Sequence, residues 1–204
     1  VFFLILFFSG IILIQNDLST SFVMALTLGV MFLCAGGSFF HIILTMLAGI
    51  ASIAYLIINE PYRTLRLVSF LDPFKYKSSY GWQVVQSIYA LGTGGLFGMG
   101  LGQSRQKFFY IPLAYNDFIF SIIGEELGFI GAFIVIVFYL IIIWRGLRIA
   151  INAKDQFGAF LAIGITSLIA IQTLVHIAVV TSSMPPTGIV LPFISAGGTS
   201  LLIF

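Results

Sequence analysis

The sequence predicts an all-α fold, a polytopic transmembrane helix bundle forming a single membrane-embedded domain over residues 1–204. Three observations carry this. Of the 204 residues, 60% are hydrophobic, against roughly 45–50% in a soluble domain. Only 8% are charged, where about 25% is usual. The apolar residues also gather into runs close to the roughly 20 needed to cross a hydrocarbon core about 30 Å thick. Nine basic and seven acidic residues cannot coat a water-soluble enzyme domain, and a net charge of +2 leaves no polybasic surface for nucleic acid. The single cysteine, Cys34, excludes a disulfide framework, and no Cys/His cluster suggests a metal.

The runs follow in order. Residues 1–14 are apolar but short, as a truncated span would be. Residues 18–35 and 38–58 make the second and third. The run 83–98 is weak and glycine-rich. Residues 118–143 and 157–181 are long and strong, and 189–204 is cut short. Five to seven spans result, with seven preferred and two of them truncated. No run alternates with period two, so strands are not expected. The chain opens and closes inside apolar runs, without a charged leader, and is expected to be an interior portion of a longer protein.

Charge sets an expected orientation. Residues 60–80 hold Arg63, Arg66, Lys75 and Lys77, and residues 144–156 hold Arg145, Arg148 and Lys154. If both lie on one face, that face carries seven of the nine basic residues and is cytoplasmic by the positive-inside rule. Parity then places 98–117 and the turn 182–188 outward.

Polar residues where lipid should exclude them are the functional candidates. The segment from Gly98 to Asp117 is longer than a turn needs and carries Arg105, Lys107 and Asp117. Asp117 has two compatible readings: an N-cap of the following helix, or a carboxylate base at the membrane edge. Glu125 and Glu126 lie two turns into that helix, as cavity residues or as a pair bonded to other helices. Asp17 reads as a loop cap or a cavity residue. Gln172 and His176 share a helix face, most simply as polar bundle packing. Residues 184–200 hold three prolines and three glycines (185, 186, 192; 188, 197, 198). Broken backbone at membrane depth is tolerated only where it is buried in protein or lines a cavity.

Four stretches together resemble the SEDS family (shape, elongation, division and sporulation), which includes the FtsW, RodA and SpoVE types. Gln15-Asn-Asp-Leu-Ser-Thr20 is similar to its Q-P-D-L-G-T. Phe70-Leu-Asp-Pro73 with Tyr80, Gln83, Gln86 and Ser87 is similar to the loop leading into its seventh span, taken here as cytoplasmic. Residues 98–128 resemble its G-x-G-L-G-x-S…K…Y-x-P-E-A-H-T-D-F-I-F-x-x-x-x-E-E-L-G, and 185–200 its P-x-T-G-x-x-L-P-F-x-S-Y-G-G-S-S. The wording at 101–107 is nearer the FtsW and SpoVE branch than RodA. Departures are Leu113 and Tyr115 for the family's Glu and His, Asn16 and Ser19 for Pro and Gly, and Ala196 and Thr199 for Tyr and Ser. Asp17 and Asp117 are kept.

The resemblance implies about ten spans in the full protein, a bacterial cytoplasmic membrane location and an extracytoplasmic active site. It implies a peptidoglycan glycosyltransferase polymerising lipid II, with a class B penicillin-binding protein transpeptidase as partner. A lipid II flippase or a scaffold of the cell-wall machinery is the alternative. Asp117 is the implied general base. Arg105 and Lys107 are the implied pyrophosphate contacts, with Ser104, Glu125, Glu126 and Asp17 as substrate-site residues. A divalent cation, magnesium or manganese, would suit the leaving group, although no metal-ligand spacing is visible.

Overall fold

A computed structural model describes residues 18–44, 47, 49, 51, 61–78, 81–106 and 114–196. The apolar runs fold as helices, and no strand occurs among the described residues. The helices are α1 (Leu18–Cys34), α2 (Pro61–Leu71), α3 (Trp82–Gly94), the single turn α4 (Ala114–Asp117), α5 (Ile119–Ile151) and α6 (Gln156–Val180). The expected spans at 1–14 and 189–204 lie wholly or partly outside the described residues.

α5 and α6, of 33 and 25 residues, are long and apolar enough to cross a bilayer. A soluble protein would bury such helices, yet Phe138 is 61% and Ile151 83% exposed. Lipid is the solvent that satisfies this surface. Between them is a tight polar turn. Asp155 caps α6, its Oδ2 accepting from the Gly158 N–H at 2.7 Å. Arg148 stands in the last turn of α5, where a cation complements the helix dipole, and its guanidinium lies 5.4 Å from the centre of the Trp144 ring.

The chain packs as two units. The first holds α1 with the C-terminal part of α5 and the N-terminal part of α6. Small residues set the approach there: a Cβ on Gly146 would sit 2.2 Å from Thr166 Oγ1, and one on Gly164 3.0 Å from Met31 Sδ. An apolar groove of about 420 Å³ runs between Val30, Leu147, Ile163 and Ile171.

The second unit holds α2, α3, α4, the start of α5, the end of α6 and the segment after it. Val84, Val85, Ser87 and Ala90 form the buried face of α3. Ser87 Oγ donates to the Val180 carbonyl at 2.8 Å, at an end of α6 where carbonyls lack helical partners.

Two expectations are corrected here. α3 has 13 residues, about 20 Å of helix, which is too short to cross as the weak span 83–98 was expected to. Residues 60–80 were expected on the face opposite 98–117. Instead Arg66 of α2 donates to the Pro186 carbonyl at 3.4 Å, and its charge acts on Asp117. α2 therefore shares an end of this unit with Asp117 and the 182–188 turn. The reason is amphipathicity: α2 alternates Arg63 and Arg66 with Leu65, Leu67, Val68 and Phe70. Such a helix lies along an interface rather than joining two spans.

Candidate active site

The glycine-rich loop after α3 docks into a break in α5. At Gly128 the helix leaves helical geometry (φ 67°, ψ −169°). A broken helix strands carbonyls before the break and N–H groups after it. The loop supplies both partners. Met99 and Gly100 N–H groups donate to the Glu125 and Glu126 carbonyls at 2.9 and 3.0 Å. Phe129 and Ile130 N–H groups donate to the Gly95 and Leu96 carbonyls at 2.8 and 3.2 Å. Gly98 and Gly128 have φ of 78° and 67°, and a Cβ on either would lie 2.1 to 2.3 Å from the other strand's backbone. Only glycine fits at both positions.

The glutamates complete the clamp. Glu125 is 1% exposed. Its carboxylate accepts from Ser104 Oγ, from the Arg105 N–H at 3.1 Å and from the Gln106 N–H at 3.4 Å. Glu126 Oε1 accepts from the Ser104 N–H at 3.3 Å. Buried charge is costly unless hydrogen-bonded, and these donors offset that cost. Ser104, Arg105, Glu125 and Glu126 thus come together as a loop anchor, with the Arg105 side chain left exposed. Asp17 and Lys107 lie outside the described residues.

Asp117 stands apart from that cluster, half-buried at the end of α4 just ahead of the fully buried Phe118. Among the described residues no α5 backbone N–H donates to its carboxylate, so helix capping does not account for it. Three features hold it. Ser195 Oγ donates to the carbonyl of the preceding Asn116 at 2.8 Å and accepts from the Leu191 N–H at 2.8 Å. Gly188, at φ 74°, lies over the carboxylate: a Cβ there would be 3.7 Å from Asp117 Oδ2. Arg66 supplies the nearby positive charge. Burial pushes the Asp117 carboxyl above its ordinary value, and the Arg66 guanidinium partly opposes this.

The segment over Asp117 is fastened from below. His176 Nδ1 bonds the Ile189 carbonyl at 2.8 Å, and the Tyr139 hydroxyl donates to the Pro192 carbonyl. Phe193 has φ 64°, a left-handed conformation unusual for a bulky side chain. Strain of this kind persists where surrounding bonds over-determine the backbone, and it clusters at functional sites.

Among the described residues no three His, Cys, Asp or Glu side chains gather as metal ligands. The Glu125 oxygens are occupied by N–H and O–H donors, and Asp117 lies within the field of the Arg66 charge. These residues do not make a divalent-cation site by themselves. Sequence reasoning missed Arg66, Ser195 and the break at Gly128. The available signals were an arginine pair three apart after a helix-starting proline, and a glycine following two glutamates inside an apolar run.

Similarity to known proteins agrees with this layout. The family model described as cell cycle protein, covering FtsW, RodA and SpoVE, matches residues 1–204. Stage V sporulation protein E of Bacillus subtilis (strain 168) is 49% identical over 193 residues, 95% of this chain and 53% of that protein. The probable peptidoglycan glycosyltransferase FtsW of Trichlorobacter lovleyi is 44% identical over 194 residues, 95% of this chain and 51% of that protein. A solved chain from a work on coordination of polymerization and crosslinking by a peptidoglycan synthase complex shares the fold. Its TM-score is 0.75 at 24% identity, over 98% of this chain and 56% of that one. The chain spans about half the length of the curated relatives it matches. With its helix bundle, its loop-filled helix break and its match along the whole sequence, the chain belongs to the FtsW, RodA and SpoVE family of cell cycle proteins.

Proposed function

We propose that this chain carries the catalytic carboxylate of a peptidoglycan glycosyltransferase that polymerises lipid II at the outer face of the bacterial cytoplasmic membrane. One observation carries the reading: Asp117 is half-buried just ahead of an apolar span, with the Cβ-less Gly188 lying over its Oδ2. A substrate with a sugar head and a polyprenyl tail needs a site at such a boundary. Several relatives are named probable peptidoglycan glycosyltransferases, which supports the same assignment.

Asp117 accepts the proton of the acceptor sugar's 4-hydroxyl as that oxygen attacks C1 of the donor sugar. The C1–O bond to the pyrophosphate breaks, and the leaving group keeps its electron pair. A carboxyl whose pKa is raised toward neutrality is a better-matched base than a fully solvated one. Arg105 and Lys107 are assigned to the departing pyrophosphate, whose developing charge needs cations. Ser104, Glu125 and Glu126 act by holding the loop that presents Arg105, and Asp17 is assigned to the substrate cavity.

The orientation follows from loop length. The turn between α5 and α6 is short and flanked by Arg145, Arg148 and Lys154. The positive-inside rule counts such short turns and supports placing this one in the cytoplasm. The assignment of Asp117 to the outer face rests on the sequence reading that one apolar run, 118–143, separates it from that turn. A class B penicillin-binding protein is the proposed partner, which would cross-link the new glycan.

The test is glycan synthesis from purified lipid II by the full-length protein in detergent, with and without its transpeptidase. Polymer is the expected product. Labelled lipid II crossing vesicles with no polymer formed would overturn the assignment in favour of a flippase.

A further inference from the structure

We propose that Arg66 is a positioning residue for Asp117: it fastens the Met184–Gly188 turn to α2 and sets the electrostatic surroundings of the carboxylate beneath that turn. The proposal rests on the reading of Asp117 as the base. Arg66 lies 120 residues from Pro186 in sequence, yet its Nη1 donates to that carbonyl at 3.4 Å. A carbonyl among three helix-incompatible residues, Pro185, Pro186 and Gly188, has no helical N–H to bond. The guanidinium fills that need with one of its five donors. Two residues on, Gly188 lies against Asp117 Oδ2. Arg66 therefore reaches Asp117 in two ways, through the turn it holds and through its charge.

Among the described residues no other charged group duplicates this. Residues 184–195 contain no titratable side chain. On α6 the group packed against this segment is His176, whose imidazole bonds the Ile189 carbonyl. On α5, Glu125 and Glu126 lie two turns further on and hold the 104–106 loop. Burial alone favours the neutral carboxyl, and the Arg66 charge works against it. Removing that charge leaves more of Asp117 protonated at any mildly acidic pH, and a protonated carboxyl cannot accept a proton.

Lysine and arginine separate the two effects. Lysine restores a charge but not the planar fork that bonds a carbonyl while facing a carboxylate. The experiment is the pH dependence of lipid II polymerisation by the full-length protein and its Arg66→Gln, Arg66→Met and Arg66→Lys variants. In Gln and Met the acid limb moves to higher pH. At a pH on that limb the rate falls roughly three- to tenfold relative to each variant's own alkaline plateau. Lys returns the limb toward wild type while its plateau stays low. The limb is read from the shape of the profile, so poor accumulation of one neutral variant does not obscure it. Gln and Met profiles that superimpose on wild type after scaling overturn the proposal. If they do so while Asp117→Asn is inactive, the base assignment stands and only the role of Arg66 falls. An active Asp117→Asn removes both.

Discussion

At Asp117 the protein holds an acid where burial works against its charge. The sign of the resulting pH dependence follows directly. With Asp117 as the proposed base the reaction needs the ionised form, and burial raises the pKa above that of a free aspartate, about 3.9. Activity is therefore lost as pH falls, and the loss begins at a higher pH than an exposed carboxylate would give. A rate profile from pH 4 to 8 checks this. Stability runs the other way. Because the folded state favours the protonated form, ionised Asp117 opposes folding at neutral pH, and that opposition is relieved as pH falls through the raised pKa. Asp117→Asn is expected to melt at or above the wild-type temperature, by about 1–3 °C, a trade of activity for stability. A drop of several degrees in a detergent thermal melt would contradict the burial argument. Ser195→Ala removes two bonds of 2.8 Å and orphans the Asn116 carbonyl and Leu191 N–H. The cost is about 1–3 kcal/mol. With Asp117 no longer held, kcat should fall more than KM changes. Asp117 stood out as a candidate in the sequence because a lone carboxylate at the mouth of an apolar run demands a reason. Ser195 was not, because a serine in a proline–glycine segment has too many ordinary uses.

The element that most shapes this site is the break in α5. The sequence shows a long, largely apolar run at 118–143 with no proline, and isolated glycines such as Gly124, Gly128 and Gly131 are each tolerated in a straight helix. The two glutamates ahead of Gly128 mark the spot as unusual, but nothing local reveals that another segment of the chain enters there. That information lies thirty residues earlier, at Gly95 to Gly100, and becomes visible only when the two backbones are paired. Ala at Gly98 would meet the Glu126 carbonyl oxygen at 2.1 Å, and backbone on both sides leaves nowhere to move. Gly98→Ala and Gly128→Ala are each expected to cost about 3 kcal/mol or more, seen as loss of folded, monodisperse protein. Glu125→Ala tests the adjoining clamp. It strands three donors at 104–106, and tryptic cleavage after the exposed Arg105 should accelerate at least tenfold. Unchanged cleavage would mean the loop is held by its glycine backbone alone.

For the whole molecule, composition was enough to read a membrane protein, because a soluble fold needs more charges, and the long apolar runs without period-two alternation made it an all-α bundle. Orientation was harder. Counting cations by loop put α2 on the wrong side of the second unit, because amphipathic Pro61–Leu71 was read as a connection between spans. Its Arg66 belongs to the same end as Asp117. The corrected reading makes a labelling prediction. In a Cys34→Ser background of the full-length protein, a cysteine at Asn152 should react only with reagent added from the cytoplasmic side. A cysteine at exposed Gln103 should react only from outside. The reverse pattern would place the proposed chemistry on the wrong face of the membrane. The most direct measurement compares lipid II polymerisation by full-length wild type and Asp117→Asn, each shown to be folded and inserted by thermal melt and cysteine labelling. The account predicts glycan strands from the first and none from the second. Strands of normal length and yield from Asp117→Asn would show that this carboxylate does not take the proton.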